Sequence, residues 1–195
     1  MRQGRLLTAP PLLTSLFAAG VMAVAGGAPA RADGYIIASG GLARECYLSA
    51  KLGKASDGAI AQCSTALDKD PLEDRDRAGT YINRGTLHLR RKAWVLALAD
   101  FDAAIALQPN IGEGHVNRAA ALIGLARPAE AVAASDRGLA LNPSEPEKAY
   151  YNRATARELT GDVEGAYRDY LKASELAPDW DPPKIELKRF TVTPK

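Results

Sequence analysis

A single pattern recurs three times in this chain of 195 residues, at a period of about 34 residues. The three segments are 78–110, 112–143 and 147–178, and superposing them aligns an Asn-Arg pair, an alanine and a closing proline. A unit of this size cannot bury its apolar face alone, so neighbouring units must bury it by stacking. The pattern therefore predicts an elongated solenoid with a long exposed groove, which is typical of a binding scaffold.

Each of the three segments contains two blocks in which apolar and small residues recur at helical spacing. Short breaks separate the two blocks, and in the last segment the break is Thr160-Gly161-Asp162, where glycine can end one helix and aspartate can cap the next. The closing residues Pro109, Pro143 and Pro178 cannot continue a helix. Each segment is thus predicted to be an antiparallel pair of helices.

A degenerate first repeat precedes the three regular ones, because Pro71 can be aligned with Pro109. Its helices are expected at 42–52 and 57–68, with Ser56 or Asp57 as the N-cap of the second. The charged segment 72–77 is either a solvated loop or an early extension of the following helix.

The whole chain is predicted to divide into a signal peptide (1–32), an N-terminal extension (33–39), repeats at 40–71, 78–111, 112–145 and 147–180, and a cap and tail (181–195). In the cap, Ile185, Leu187 and Phe190 are predicted to cover the last helix pair.

The N-terminus has the features of a secretory signal peptide. Residues 1–5 include two arginines, an apolar stretch runs from Leu12 to Ala25, and small residues follow up to Ala32. The apolar stretch of about 14 residues is shorter than the roughly 20 that span a membrane, so an uncleaved anchor is the less favoured alternative. The sequence predicts an exported, periplasmic protein that is cleaved near Ala32 and keeps no stable membrane span.

Charge argues against nucleic acid as a partner. Removing residues 1–32 takes away three arginines and no acidic residue, which leaves 22 basic and 23 acidic residues. A nearly neutral chain without a dense run of lysine and arginine lacks the electrostatic footprint of a nucleic-acid-binding protein.

The two cysteines of the chain, Cys46 and Cys63, lie at nearly equal distances from the predicted turn at 53–56. In an antiparallel pair they are therefore expected at the same height on facing helices. In an exported chain this placement predicts a disulfide. A redox-catalytic pair is the alternative, but the chain has no Cys-x-x-Cys motif.

The repeats resemble tetratricopeptide repeats, whose pattern runs Trp-x2-Leu-Gly-x2-Tyr, then Ala-x3-Phe, then Pro. Matching residues in the second repeat are Tyr81, Gly85, His88, Ala97, Phe101 and Pro109, and those in the fourth are Tyr150, Ala154, Ala166, Tyr170 and Pro178. The resemblance covers residues 40–178. It implies an all-α fold, a right-handed α-solenoid of about four antiparallel helix pairs with a short C-terminal cap, and a role as a protein-interaction scaffold.

One departure from the family pattern is shared by the three regular repeats. Arg84, Arg118 and Arg153 occupy the position of a leucine. A buried arginine needs an acidic partner or a path to water. The expected partners are Asp100 or Asp102 for Arg84, Asp136 for Arg118 and Asp169 for Arg153. A direct role in ligand binding is the alternative.

No constellation in the sequence indicates catalysis. His88 and His115 fall in aromatic positions of the pattern, which favours packed core residues over ligands or bases. The sequence contains no Gly-rich phosphate loop, Gly-x-Ser-x-Gly motif or His-Glu-x-x-His pair. We therefore expect no enzymatic activity, no cofactor, no metal site and no small-molecule substrate.

The resemblance implies that the first helix of each pair lines a concave groove. Asn83, Asn117 and Asn152 recur once per repeat there, and their amides are candidates to bind the backbone of a protein or peptide. Bonding to the backbone of the neighbouring repeat is an equally weighted alternative. Selectivity is predicted to come from Arg44, Thr86, Arg90, Glu113, Lys148, Tyr151 and Thr155. The resulting hypothesis is a non-catalytic adaptor of the cell envelope, and its alternative is a structural or self-associating module of an envelope assembly without a peptide ligand.

Overall fold

The computed structural model describes residues 6–8 and 41–193. The predicted signal peptide (1–32) and N-terminal extension (33–39) lie outside the described residues, apart from Leu6–Thr8. The described helices are α1 (Leu42–Lys51), α2 (Asp57–Lys69), α3 (Asp74–Arg90), α4 (Trp94–Leu107), α5 (Gly112–Gly124), α6 (Pro128–Ala140), α7 (Pro146–Leu159), α8 (Val163–Leu176) and α9 (Pro182–Leu187). Strands β1 (Leu6–Thr8) and β2 (Thr191–Thr193) pair antiparallel.

Eight of these helices form four pairs that stack in chain order, α1 with α2, α3 with α4, α5 with α6 and α7 with α8. The first helix of each pair also contacts the first helix of the next pair, and the second helix packs onto the first helix of the pair that follows. First helices that contact one another form the inner layer of a curved stack, while second helices form its outer layer. The expected all-α solenoid of four helix pairs is confirmed.

The turns inside the three regular pairs share one backbone conformation. Lys92, Ala126 and Gly161 occupy equivalent positions, and their φ angles of 59°, 55° and 87° all lie in the left-handed region. This conformation ends a helix by turning the chain sharply, and glycine adopts it without steric cost. The predicted caps are also present, since Ser56 Oγ accepts from the Ala59 amide at 3.1 Å and Asp162 Oδ1 accepts from the Gly165 amide at 2.9 Å.

The charged segment 72–77 belongs largely to α3, which begins at Asp74. Two hydrogen bonds hold this extra turn. Arg77 Nη1 donates to the Leu67 carbonyl of α2 at 2.7 Å, and Thr80 Oγ1 donates to the Asp76 carbonyl at 2.8 Å. The early helix extension, rather than the loop, is therefore the observed alternative.

Small residues at the helix crossings form the core. Ala97, Ala131 and Ala166, the alanines shared by the three regular repeats, are all 0% exposed. The largest buried side chains, Phe101 and Tyr170, pack beside two of them. Burial is thus distributed along the stack in several small clusters between neighbouring helices, as a solenoid requires.

The C-terminal segment covers the last helix pair, but not with all the predicted residues. Phe190 packs against Ala154, Ala166 and Tyr170, and Leu187 joins the same cluster. Ile185 is 53% exposed, so its predicted contact is wrong. The helix begins with two prolines, and its register turns Pro183 inward and Ile185 outward.

Candidate functional site

The first repeat contains the predicted disulfide. Cys46 of α1 and Cys63 of α2 are bonded, with a Cα–Cα distance of 4.8 Å, and both are 0% exposed. The cluster around them includes Ala50, Ala59 and Leu87. These small neighbours allow the two helices to approach within the short Cα separation that a disulfide needs.

The arginines at the leucine positions pair with carboxylates of the second helices. Arg84 donates two hydrogen bonds to Asp100, at 3.0 and 2.7 Å. Arg153 does the same with Asp169, at 2.8 and 2.7 Å. The hydrogen bonds that it donates to Asp169 raise the pKa of the Arg153 guanidinium, despite its partial burial. Both pairs lie within one repeat, as predicted.

Arg118 has a different partner from the predicted one. Its Nε donates to Asp102 of the preceding repeat at 2.7 Å. The residue of the third repeat that is equivalent to Asp100 and Asp169 is Ala134, which offers no carboxylate. The predicted pairing of Arg118 with Asp136 is therefore wrong.

A second set of contacts runs between repeats. Ser64, Asp102 and Asp136 occupy equivalent positions on α2, α4 and α6. Each accepts a hydrogen bond from the arginine of the next repeat: Ser64 from Arg84 at 3.0 Å, Asp102 from Arg118 at 2.7 Å and Asp136 from Arg153 at 2.6 Å. The arginine positions thus join successive repeats as well as the two helices of one repeat.

Both histidines lie among packed side chains and are partly buried. Burial lowers the pKa of His88, although the Asp100 carboxylate, 3.9 Å from its Nε2, acts in the opposite direction. Burial also lowers the pKa of His115, whose Nε2 lies 3.2 Å from the Pro109 carbonyl. The neutral imidazole is favoured at both positions.

The three repeated asparagines are enclosed in the stack. Asn83, Asn117 and Asn152 are 0%, 2% and 4% exposed. Asn152 Nδ2 donates to the Val116 carbonyl of the preceding repeat at 3.0 Å, which is the contact expected of a structural asparagine. Both amide atoms of Asn83 and the Nδ2 of Asn117 are buried without a hydrogen-bond partner among the described residues.

The predicted selectivity residues separate into two groups. Arg44 is exposed, and Arg90, Glu113, Tyr151 and Thr155 are partly buried, whereas Thr86 and Lys148 are buried. Several are already engaged: Glu113 accepts from Ser144, Thr86 Oγ1 donates to the Ile82 carbonyl, and Lys148 pairs with Glu145. Among the predicted selectivity residues, those of the first group therefore keep some solvent exposure.

Comparison with known proteins gives matches among solved structures alone. No family model matches the sequence, and no curated protein matches it. The TPR domain of Arabidopsis OM64 shares 26% identity with a TM-score of 0.57, over 60% of this chain and 96% of that one. The first TPR of Spaghetti (RPAP3) bound to the HSP90 peptide SRMEEVD shares 26% identity with a TM-score of 0.53, over 57% and 87%. TTC0263, a TPR protein of Thermus thermophilus, shares 19% identity with a TM-score of 0.61, over 75% and 78%.

The chain has the fold of tetratricopeptide repeat (TPR) proteins. The repeat pattern, the four stacked helix pairs and the matched structures all support this fold assignment. TPR solenoids share a fold and differ in what they bind, so the family alone does not identify a ligand.

The seam between the fourth repeat and the cap contains an ion pair, Glu158 with Arg189, that the sequence pattern did not indicate. The Glu158 side chain is 4% exposed, and its Oε2 accepts from Arg189 of the cap at 2.7 Å. Tyr170 OH lies 3.1 Å from Thr155 Oγ1, and Tyr151 packs edge-on against the Tyr170 ring. Burial raises the pKa of both tyrosines. Only contacts across the stack reveal this seam, because its members are far apart in sequence.

Two further observations concern the described part of this protein. Within residues 6–8 and 41–193, no group of three or more His, Cys, Asp or Glu residues is arranged to hold a metal ion. None of the helices described there has the length and apolar character needed to cross a membrane.

Proposed function

We propose that this protein is a non-catalytic adaptor that binds a protein or peptide along the inner layer formed by α1, α3, α5 and α7. The observation that carries the proposal is the continuity of this layer, in which each first helix contacts the next. Such a layer offers a concave surface several helices long, suited to an extended or helical segment. The match to a TPR domain whose structure holds an HSP90 peptide supports the same use of the fold.

Opposite charges on two helices of the inner layer, α1 and α5, give the proposed groove its polarity. Arg44 is exposed on α1, and Glu113 is partly buried on α5, where its Oε1 accepts from Ser144 at 3.0 Å. Residues Tyr151 and Thr155 extend the surface along α7. A bound segment would contact the exposed parts of these side chains, whereas Asn83, Asn117 and Asn152 are buried within the helix stack.

The test compares two charge-reversed variants. In the groove variant, Arg44→Glu is combined with Glu113→Lys. In the matched control, Arg168→Glu is combined with Glu175→Lys, both of which are exposed on the outer helix α8. Each variant and the unaltered protein are used for crosslinking and affinity capture from the organism's envelope extract, after circular dichroism has verified equal helicity.

The proposal requires one partner that is captured by the unaltered protein and by the outer-face control but is lost from the groove variant. Equal capture by all three proteins would place the contact outside the groove. Recovery of the protein alone, as a crosslinked oligomer, would support the self-associating module instead.

The envelope location is part of the proposal and has a separate test. We propose export followed by cleavage near Ala32, on the basis of the basic start, the apolar stretch and the small residues that follow. Cell fractionation and N-terminal sequencing of the purified protein would show a periplasmic chain beginning near Asp33. A cytoplasmic chain that retains Met1 or Arg2 would overturn the location without affecting the groove.

A further inference from the structure

One edge of the solenoid concentrates basic and exposed apolar side chains. In a stack of antiparallel pairs, the turns inside the pairs all lie on the same edge. In the first two repeats these turns span 51–57 and 90–96, which contain five basic residues and one acidic residue, Asp57. The connection between the two repeats, 68–76, lies on the opposite edge and contains five acidic and two basic residues.

The two basic turns form a continuous surface. A Cβ added to Gly53 in the first turn would lie 2.6 Å from Arg90 Nη1, which places this guanidinium directly against the turn. Arg91 of the second turn pairs with Asp57 of the first. We use the name basic edge for the exposed basic and apolar residues of this surface, Lys51, Leu52, Lys54, Arg91, Lys92, Val95 and Leu96.

The apolar members of the basic edge are unusually exposed. Leu52, Val95 and Leu96 are 63%, 67% and 55% exposed, whereas most large aliphatic side chains of the described residues are buried or partly buried. They lie beside Lys51, Lys54 and Lys92, which are exposed too. Apolar side chains surrounded by cations are characteristic of surfaces that bind at the boundary between anionic lipid headgroups and acyl chains.

We propose that the basic edge docks on an anionic lipid surface. Lys54, Lys92 and their neighbours would contact the phosphates, while Leu52, Val95 and Leu96 would enter the boundary between headgroups and acyl chains. The shape of the edge favours lipid over an acidic protein. Its apolar side chains, Leu52 at the end of α1 and Val95 and Leu96 in the first turn of α4, protrude into solvent, whereas a protein partner is usually gripped by anchors that fill a pocket. A lipid surface needs no such pocket because it adapts to the protruding side chains.

The edge is independent of the proposed groove. The groove belongs to the faces of the first helices, whereas the basic edge belongs to the turns after them. A protein that binds lipid through the edge would keep the groove open to a partner. Variants at Arg44 and Glu113 therefore leave lipid binding unchanged.

Trp94 allows the edge to be tested directly. It opens α4 next to Val95, and the chain has one other tryptophan, Trp180. In a Trp180→Phe background, the fluorescence of Trp94 reports whether this edge enters the lipid. The full chain is mixed with phosphatidylcholine vesicles that carry brominated acyl chains, with or without a minority of phosphatidylglycerol. Quenching of Trp94 is measured against lipid concentration. Because the apolar segment 12–25 can itself bind vesicles, the decisive comparison is between the basic-edge variant and its matched control, which both carry that segment.

We expect quenching that requires phosphatidylglycerol and weakens with salt. Each lysine near an anionic surface adds about fivefold to lipid partitioning. Lys54→Glu with Lys92→Glu should therefore raise the half-saturating lipid concentration by at least roughly 25-fold. The matched control, Lys69→Glu with Lys188→Glu, makes the same change in net charge at exposed positions away from this edge and should keep the quenching.

Three results would overturn the assignment. Absence of quenching in the unaltered background would exclude insertion of this edge. Equal quenching without phosphatidylglycerol, or equal loss in both lysine pairs, would show that the edge lysines do not recognise the headgroups. Binding to soluble polyglutamate that depends on Lys54 and Lys92, without quenching by vesicles, would identify an acidic polypeptide as the partner instead.

Discussion

Asp102 of the second repeat accepts a hydrogen bond from Arg118 of the third, with 2.7 Å between Oδ1 and Nε. An equivalent contact recurs one repeat later, where Asp136 accepts from Nη1 of Arg153. Arginine therefore replaces the leucine of the family pattern without leaving a charge unpaired at these positions. Its long side chain reaches the second helix of its own repeat, of the preceding one, or of both.

The carboxylates of this network should differ sharply in their contribution to stability. The Asp169 side chain is 5% exposed and binds both Arg153 and Arg157, whereas that of Asp102 is 50% exposed. We expect Asp169→Asn to lower the free energy of unfolding by about 3 kcal/mol, because it removes the buried anion that two partly buried cations share. Asp102→Asn should cost less than about 1 kcal/mol. Urea titrations of both variants measure the difference, and similar costs would refute this ranking.

The disulfide should stabilise the first repeat. The bond between Cys46 and Cys63 closes a loop of 17 residues, and removing it is expected to cost about 3 kcal/mol in the chain-entropy model. The double variant Cys46→Ala/Cys63→Ala keeps the buried positions apolar. Hydrogen exchange should then rise in α1 and α2 and change little in α7 and α8. A uniform rise along the chain would show that the bond supports the entire stack.

Asn152 and Asn83 test whether the asparagine ladder is structural. Asn152→Ala removes the hydrogen bond to the Val116 carbonyl and should destabilise the protein by about 1–2 kcal/mol. Asn83→Ala breaks no hydrogen bond among the described residues and should cost less. The measurement is thermal unfolding, followed by partner capture with each folded variant. Loss of the partner from a stable Asn83 variant would favour the ligand-binding alternative.

The cap offers a matched pair of substitutions. Phe190 is 9% exposed, and Phe190→Ala should lower the free energy of unfolding by about 3 kcal/mol because it opens a cavity against Tyr170 and Ala154. Ile185 is 53% exposed, and Ile185→Ala should change it by less than about 0.5 kcal/mol. Calorimetry of the two variants distinguishes them. Equal losses would mean that the cap packs in another register.

Stability should fall in mildly acidic solution. The pKa values of His88 and His115 are lowered by burial, so below the ordinary histidine pKa near 6.5 the unfolded chain binds more protons than the folded one. The free energy of unfolding therefore decreases as the pH drops from about 6.5 through the lowered folded values. Urea titrations between pH 7.5 and 5 measure this slope. The double variant His88→Gln/His115→Gln should flatten it, and an unchanged slope would assign the effect to carboxylates.

The period of the pattern predicted the helix pairs and their turns, and the placement of the two cysteines about one turn, together with the predicted export, predicted the disulfide. Each repeat has its own alanines at fixed positions, its own proline at the end of the second helix and its own left-handed turn residue. These features depend on local structure, so they can be recognised within each repeat. The pairing of the cysteines was predicted in a similar way. In an antiparallel helix pair, two residues that are equally far from the turn lie at the same height on facing helices.

The partners of Arg118 and the burial of the asparagines could not be predicted in this way. Both depend on how far one repeat is rotated and shifted against the next, which is set by side-chain packing across the whole stack. Ala134 removes the carboxylate that the other repeats use, and the distance to Asp102 is defined only once the third repeat has packed on the second.

The sequence by itself thus determined the α-solenoid, because helix-forming units of this length must stack to bury their apolar faces. The tertiary structure alone decided which charged groups meet between repeats, which repeated residues remain accessible on the inner layer, and how the turns of the first two repeats combine into a basic edge. Those features depend on distances between residues of different repeats, and the repeat pattern carries no information about such distances until the helices have packed.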